Sequence, residues 1–264
     1  MPARVIRPPA VAGTFYPDDP RALRSEVHAL LAANPAPSAT PKAVIVPHAG
    51  YVYSGSIAAR AYNAIAGESD TVRRVVLLGP AHHVPLRGLA LPTAGAFATP
   101  LGEVPLDASA MQSIRGLPQV SCSDAAHRME HSLEVQLPFL QVQLREFALV
   151  PLVVGWAEPG EVAAVLEGLW GGPETLIVIS SDLSHYHPDP VARRLDADTA
   201  RRIEALRIPI PDAQACGARP INGLLAVAAQ YRLRLARLDL RNSADTAGDR
   251  QRVVGYGAWT CDAD

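Results

Sequence analysis

The sequence predicts an α/β fold: a single domain over residues 1–264 with a largely parallel or mixed central sheet flanked by helices. Three observations support this prediction. Four short apolar runs rich in β-branched residues are spread along the chain. Amphipathic helical patterns lie between them, as is typical of βαβ units. No repeat, low-complexity tract or linker-like stretch divides the chain.

The first helix is predicted at Asp19-Pro20, because an aspartate cap followed by proline is a common helix start. Leucine and valine then recur at helical spacing until Pro35 closes the element. Two alternating runs, 233–240 and 252–259, predict strands near one edge of the sheet. The apolar runs predict strands at 43–47, 73–79, 147–155 and 175–180, and the helical patterns cover 56–67, 158–172 and 191–206.

The composition narrows the classes of protein that fit. A chain of 264 residues with 48% hydrophobic and 19% charged residues is typical of a globular protein. A net charge of −2 argues against binding to nucleic acid or to an anionic membrane. The three cysteines share no CxxC spacing, which argues against a disulfide framework or a zinc ribbon. Without an apolar N-terminal segment or a membrane span, we expect a soluble, cytoplasmic protein.

Three of the four predicted strands lead directly into histidine or aspartate. If these strands are parallel neighbours, their carboxyl ends meet at one edge, where open α/β sheets build their sites. Two histidines and a carboxylate leave open positions on an iron(II) ion, and the same ligands can hold catalytic zinc. A further histidine beside the metal would serve as general acid or base. The residues concerned are His48, His82, His83, Asp182 and His185.

A second polar cluster lies in the stretch 129–140. Its members Glu130, His131 and Glu134 fall within about one helical turn, and His131 and Glu134 share a helix face. This cluster can orient a ligand imidazole, as metal-bound histidines usually require. An exposed polar face is the alternative. We expect Pro138 to kink or end the helix.

The loop 242–251 carries Asp245 and Asp249 among small residues. Either aspartate is a candidate for the missing carboxylate ligand. The alternative is that both only support turns, as aspartate beside glycine and serine often does.

Seven stretches, spread in order over nearly the whole chain, resemble the MEMO family in its prokaryotic branch. The resemblance implies a fold like that of the LigB-like class III extradiol dioxygenases, with a mononuclear iron site. It also implies AMMECR-type and radical SAM protein partners, as in the AmmeMemoRadiSam system. The stretches are 9–17, 46–55, 77–86, 130–140, 179–185, 216–225 and 253–259.

The resemblance also implies roles for individual residues. His48 and His82 match the two metal-binding histidines of the family, and His185 matches the acid–base histidine of the dioxygenases, with Asp182 beside it. The third ligand departs from the pattern, because the loop has neither the glutamate of the dioxygenases nor the cysteine of animal MEMO proteins. Asp245 is then the best candidate, with Thr246 and Asp249 as alternatives. The residues expected around the metal or along the pocket are His83, His131, Glu134, Tyr51 and Tyr16.

Together these features predict an oxidoreductase that holds Fe(II), with copper or zinc as alternatives, and acts on a small aromatic substrate such as a catechol. A non-catalytic module that binds a protein or peptide in the same cleft is the second hypothesis, and Phe15, Tyr16 and Tyr51 are candidates to line such a groove. Zinc-dependent hydrolysis is the third. The sequence leaves the oligomeric state open.

Overall fold

A mixed sheet organises the computed structural model, which describes residues 5–36 and 40–263. The strands are β1 (Ile6–Arg7), β2 (Ala43–Val46), β3 (Arg74–Pro80), β4 (Leu89–Leu91), β5 (Ala96–Thr99), β6 (Gly102–Pro105), β7 (Val120–Cys122), β8 (Ala148–Val154), β9 (Thr175–Ser180), β10 (His185–His187), β11 (Leu233–Asn242) and β12 (Val253–Ala263). The α-helices are α1 (Pro20–Ala33), α2 (Tyr51–Ala64), α3 (Ala108–Ile114), α4 (Asp124–Arg128), α5 (His131–Glu134), α6 (Leu137–Gln143), α7 (Pro159–Gly168), α8 (Asp189–Glu204) and α9 (Ala218–Tyr231). Short 3₁₀ helices occupy Ala66–Glu68 and Ser243–Asp245.

Four parallel strands form the middle of the main sheet. Its order is β10-β12-β2-β9-β3-β8-β4-β7, and β11 pairs with β12. Strands β2, β9, β3 and β8 are parallel to one another. On the two sides of this group, β12 is antiparallel to β2 and β4 is antiparallel to β8. The predicted α/β class with a mixed sheet is therefore confirmed. A separate small sheet has the order β1-β5-β6.

Helices cover both faces of the central strands, which explains why these strands read as continuous apolar runs. Alternate side chains divide between two apolar clusters. One face, with Ile45 and Val76, packs against residues of α3, α7, α8 and α9. The other face, with Val44 and Val75, packs against residues of α1, α2 and α6. Neither face of the central strands is left to solvent.

The predicted strands at 43–47, 73–79, 147–155 and 175–180 correspond to β2, β3, β8 and β9. Helix α2 begins at Tyr51, earlier than the predicted start at residue 56, because Gly50 caps it and Ser54 bonds back to the carbonyl of Ala49. Pro138 lies in the first turn of α6, where proline is tolerated, and the preceding helix α5 ends at Glu134, so the polar stretch is divided between two short helices. The short strands β4 to β7 are only three or four residues long and carry no periodic pattern that predicts them. Helix α9 is also absent from the predicted elements, although Ile221, Leu224, Leu225 and Ala228 recur in it at helical spacing.

No helix of the described residues is long and apolar enough to cross a bilayer. One domain over residues 1–264 remains a prediction, and residues 1–4, 37–39 and 264 of that range lie outside the described residues.

Candidate metal centre

The carboxyl ends of β2, β9 and β3 lie side by side, as the order of these strands in the sheet requires. His48, His82 and Asp182 each follow the last residue of β2, β3 or β9 by two positions, and β9 lies between β2 and β3. Val46 is in register with Ser180, and Leu78 with Ile179, so the three carboxyl ends are level. The backbone N–H of His48 donates to Oδ1 of Asp182 at 2.7 Å, which joins two of these ends directly.

Three histidines form a cluster that can hold a metal ion. One potential ligand atom from each of His48, His82 and His131 lies within 4.8 Å of the other two. The ring centroids are 5.3 Å apart for His48 and His82, and 4.7 Å apart for His82 and His131. His131 is the first residue of α5, which packs closely on β3 at Gly79. A Cβ on Gly79 would lie 2.6 Å from Oγ of Ser132, so only glycine permits this approach.

Hydrogen bonding fixes the tautomer of His48. The Ser180 hydroxyl donates its one proton to the carbonyl of Ser132 at 2.6 Å. The same oxygen accepts from Nε2 of Gln136, and it lies 2.9 Å from Nδ1 of His48. Because its proton is already committed, the serine oxygen must accept from His48 as well. Nδ1 of His48 therefore carries the proton, and Nε2 is the unprotonated nitrogen.

Glu130 orients His82 in a similar way. Its Oε1 accepts from Nδ1 of His82 at 2.8 Å, and its Oε2 accepts from the backbone N–H of His82 at 2.7 Å. Burial alone would raise the pKa of Glu130, but the hydrogen bonds from His82 and from the N–H of Ser132 hold it well below its usual range. The carboxylate is thus ionised, and because it holds Nδ1 of His82, Nε2 is the nitrogen that is available to an ion. A carboxylate behind a ligand imidazole is the usual support of a metal-bound histidine.

The other two imidazoles are unprotonated near neutral pH. Burial lowers the pKa of His131 to about 4, because the attraction of Glu130 only partly offsets the loss of solvent. Burial also lowers the pKa of His48 well below its usual value. Neutral imidazoles are the form that metal ions bind, so His48 and His131 can bind an ion without first losing protons.

Cys216 brings a thiol to the same place from the segment before α9. Its Sγ lies 3.4 Å from Nε2 of His48 and accepts the backbone N–H of Asp182 at 3.3 Å. Two ligands of one tetrahedral ion, a sulfur and an imidazole nitrogen, lie about 3.6 Å apart. Burial raises the pKa of this thiol, and the charge of Asp182 raises it further. The sulfur is therefore within reach of an ion held by His48.

Asp182 and His185 face a cleft of about 590 Å³ beside the cluster. Burial raises the pKa of Asp182 to about 7, although hydrogen bonds from the N–H groups of His48 and Ala49 oppose the rise. Burial also lowers the pKa of His185. Because Nδ1 of His185 donates to the carbonyl of Leu183 at 2.8 Å, its Nε2 is the atom able to accept a proton. Phe15 lies in the wall of this cleft together with His131.

The loop aspartates lie apart from the histidine cluster, as far as the described residues extend. The carboxylate of Asp245 pairs with Arg193 at 2.6 Å and accepts the N–H of Asn242, which caps a 3₁₀ turn. Thr246 donates its hydroxyl to the carbonyl of Ser243. Asp249 lines the cleft, but its Oδ1 accepts the N–H groups of a turn. Among the described residues, His131 and not Asp245 groups with His48 and His82.

Glu134 and the two tyrosines have a different role from the one predicted. Glu134 is fully buried, pairs with Arg7, and accepts the N–H groups of residues 10 and 11 and the hydroxyl of Tyr16. It therefore anchors the N-terminal segment. Tyr16 and Tyr51 are buried in the core, where Tyr51 bonds to the carbonyl of Val135, so they do not line the cleft. His83 is exposed and meets the ring of His131 edge-on, at 6.0 Å between centroids.

Two residues of the site have roles that the sequence does not reveal. Glu130 stands out only as part of a polar cluster, and its place one residue before His131 gives no sign that it supports His82. Cys216 lies in a stretch that carries the family resemblance, yet 168 residues separate it from His48 along the chain. Only the packing of α9 against the strand ends brings them together.

Comparisons with known proteins show the family of the chain. The family model described as "Memo-like protein" matches residues 7–260. A "MEMO1 family protein" of Aquifex aeolicus is 38% identical over 95% of this chain and 97% of its own length. Another from Sulfolobus acidocaldarius is 34% identical, over 96% and 98% of the two chains. An uncharacterised protein of Escherichia coli K12 shares the fold, with a TM-score of 0.52 and 13% identity over 82% of this chain and 98% of its own. The chain thus belongs to the Memo-like protein family.

Proposed function

We propose that this protein is a metal-dependent oxidoreductase that holds one transition-metal ion at His48, His82 and His131. The observation that supports the proposal most is the state of the imidazoles. Ser180 and Glu130 hold Nδ1 of His48 and Nδ1 of His82, so Nε2 of each is the nitrogen available to an ion, and burial keeps His48 and His131 neutral. Three imidazoles suit iron, copper and zinc. Fe(II) is our first choice, because the MEMO family resembles the extradiol dioxygenases.

Two side chains beside the cluster, His185 and Asp182, can transfer protons. A bound iron or copper ion would supply Lewis acidity and one-electron redox chemistry. His185 accepts a proton from a bound hydroxyl group at Nε2, since its other nitrogen is committed to the carbonyl of Leu183. Asp182, whose pKa is about 7, exchanges a proton at neutral pH. The cleft that these two residues share is large enough for a small aromatic substrate.

The test is metal content, measured by mass spectrometry on protein purified anaerobically. Wild type is expected to keep close to one ion per chain, and His48→Ala, His82→Ala and His131→Ala are expected to lose it. His28→Ala, at an exposed position in α1, is the matched control and should load like wild type. A wild-type protein that stays metal-free with Fe(II), copper and zinc each in excess would overturn the proposal.

The identity of the ion decides between two reactions. Iron or copper, together with oxygen consumption on a catechol, supports the oxidoreductase. Activity restored by zinc alone would instead indicate a hydrolase. In either case His185→Gln should lower the rate while the metal content stays unchanged.

Binding of a protein partner is the second candidate function. It is favoured by two aromatic side chains of the cleft, because Tyr53 is 40% exposed and Tyr186 is 63% exposed. We propose an AMMECR-type or a radical SAM protein as the partner. Capture of a purified partner by the His48→Ala/His82→Ala double variant would support this role, and loss of binding in the folded double variant would contradict it.

A further inference from the structure

The ring of His131 is held differently from the rings of the other two histidines in the cluster. Ser180 bonds to Nδ1 of His48, and Glu130 bonds to Nδ1 of His82. Nδ1 of His131 lies 3.6 Å from Oε1 of Glu130, beyond hydrogen-bond distance, and within the described residues neither of its ring nitrogens forms a hydrogen bond. Because the outer torsion of a histidine side chain has broad minima, such a ring needs packing to keep one orientation.

Phe15 supplies this packing. Its ring lies 4.8 Å from that of His131, centroid to centroid, and is tilted by 50°. Tilted aromatic pairs at this separation attract one another. Among the rings of the described residues only His82 is closer to His131, at 4.7 Å, and His82 is itself a candidate ligand. Phe15 is therefore the closest aromatic neighbour of His131 that has no metal to bind.

The turn that carries Phe15 is bonded to the helix that carries His131. Glu134 of α5 accepts the N–H of Val11 at 3.0 Å on one side of Phe15 and the hydroxyl of Tyr16 at 2.6 Å on the other side. Within the turn, the N–H of Phe15 donates to the carbonyl of Val11 at 2.9 Å. The turn and α5 thus form one unit, in which the ring of Phe15 lies against the imidazole.

Helix α5 depends on such support from outside. It has only four residues, too few for a helix that is stable alone. Arg7 donates from Nη2 to the carbonyl of Glu130 at 2.7 Å, so the N-terminal segment is bonded to the start of α5 as well as to Glu134 at its end. The backbone of His131 is positioned by these bonds, and its ring by Phe15.

We propose that Phe15 is a positioning residue of the metal centre, whose ring holds the imidazole of His131 toward the ion as hydrogen bonds do for His48 and His82. This role rests on the proposed function, because it requires His131 to be a ligand. It goes beyond that function by making the N-terminal turn 11–16 a part of the metal centre.

The experiment is pulsed EPR of the full-length protein loaded with Cu(II), which counts the bound imidazoles, together with a chelator titration of affinity. Wild type is expected to show three imidazoles. Phe15→Ala should show two and bind Cu(II) about ten-fold more weakly. Phe15→Leu keeps an apolar side chain of similar reach and should behave like wild type. Phe147→Ala is the matched control, because Phe147 is also partly buried against the same apolar cluster but lies just before β8.

A double-variant cycle separates positioning from a general effect on the fold. If Phe15 acts through His131, Phe15→Ala/His131→Ala should bind Cu(II) as tightly as His131→Ala alone. A side chain that only stabilised the fold would weaken binding by the same factor in both backgrounds.

The outcomes also separate this role from the metal centre itself. Two imidazoles in Phe15→Ala and three in Phe15→Leu support the role of Phe15. Three imidazoles in Phe15→Ala overturn it, as does an equal loss in Phe15→Leu or an effect that persists in the His131→Ala background, and in each case the metal centre stands. Fewer than three imidazoles in wild type would contradict the proposed metal centre and this role together.

Discussion

The carboxylate of Glu130 joins the end of β3 to the start of α5 through His82, with Oε1 2.8 Å from Nδ1 of that histidine. The same carboxylate accepts the backbone N–H groups of His82 and Ser132. His82 and His131, which lie on either side of these bonds, are both members of the histidine cluster. One buried acid thus sets the orientation of one candidate ligand and the position of another.

Replacing Glu130 with glutamine should weaken metal binding by about 10- to 100-fold, the usual effect of losing the group behind a ligand histidine. The amide keeps an acceptor but removes the negative charge that favours an Nδ1–H on His82. Competition with a chromophoric chelator measures the affinity. Circular dichroism should show an unchanged fold. A folded variant that binds metal as tightly as wild type would show that Glu130 does not support metal binding.

Cys216→Ser should abolish the sulfur-to-metal charge-transfer absorption of the Cu(II)-loaded protein. The reason is that Sγ lies 3.4 Å from Nε2 of His48, within reach of the same ion. Cys122→Ser is the control, because Cys122 is exposed on β7 and distant in the fold. If the band is absent from wild type or persists in Cys216→Ser, the thiol is not a ligand.

Gly79→Ala should reduce metal affinity by displacing His131. The added Cβ would lie 2.6 Å from Oγ of Ser132 and 2.9 Å from Leu133, which pushes α5 away from β3. We expect a loss of stability of about 1–3 kcal/mol as well. Gly160→Ala is the matched control, since a Cβ added there would meet nothing within 4 Å. Equal metal affinity in both variants would show that α5 tolerates the shift.

Arg7→Ala should lower the free energy of unfolding by about 3–5 kcal/mol, because it leaves the buried carboxylate of Glu134 without its ionic partner. Removing Arg145, whose pair with Asp70 is exposed, should cost less than about 1 kcal/mol. Urea denaturation measures both. A small effect of Arg7→Ala would mean that Tyr16 and the backbone N–H groups satisfy Glu134 alone.

Asp196 should make the protein less stable as pH rises from about 4 to 6. Burial raises its pKa from 3.8 to about 6, although the N–H of Ser184 opposes the rise. The folded state then holds a proton that the unfolded state has released, so stability falls with pH in this window. The full contribution is at most about 3 kcal/mol. Asp196→Asn should flatten this part of the stability curve, and an unchanged slope would contradict the assignment.

The strand-end residues were predictable because one pattern encodes both the strand and the site. An apolar run followed by histidine identifies β2 with His48 and β3 with His82, and parallel pairing then brings the ends together. The third member of the cluster was not predictable for a physical reason. Aspartate beside glycine and serine is typical of turns, and Asp245 pairs with Arg193. His131 and Cys216 reach the site by helix packing, which leaves no periodic signal in the sequence.

The position of β9 between β2 and β3 has a consequence for the order of events during synthesis. His48, His82 and His131 are all made before residue 175, yet β2, which leads into His48, has no shared edge with β3 until β9 enters between them. A ribosome-bound chain that ends before Thr175 is therefore expected to lack a complete site, even though it already contains all three imidazoles. Metal uptake would then mark the completion of the sheet, because an ion added to such a truncated chain would find His82 and His131 without His48.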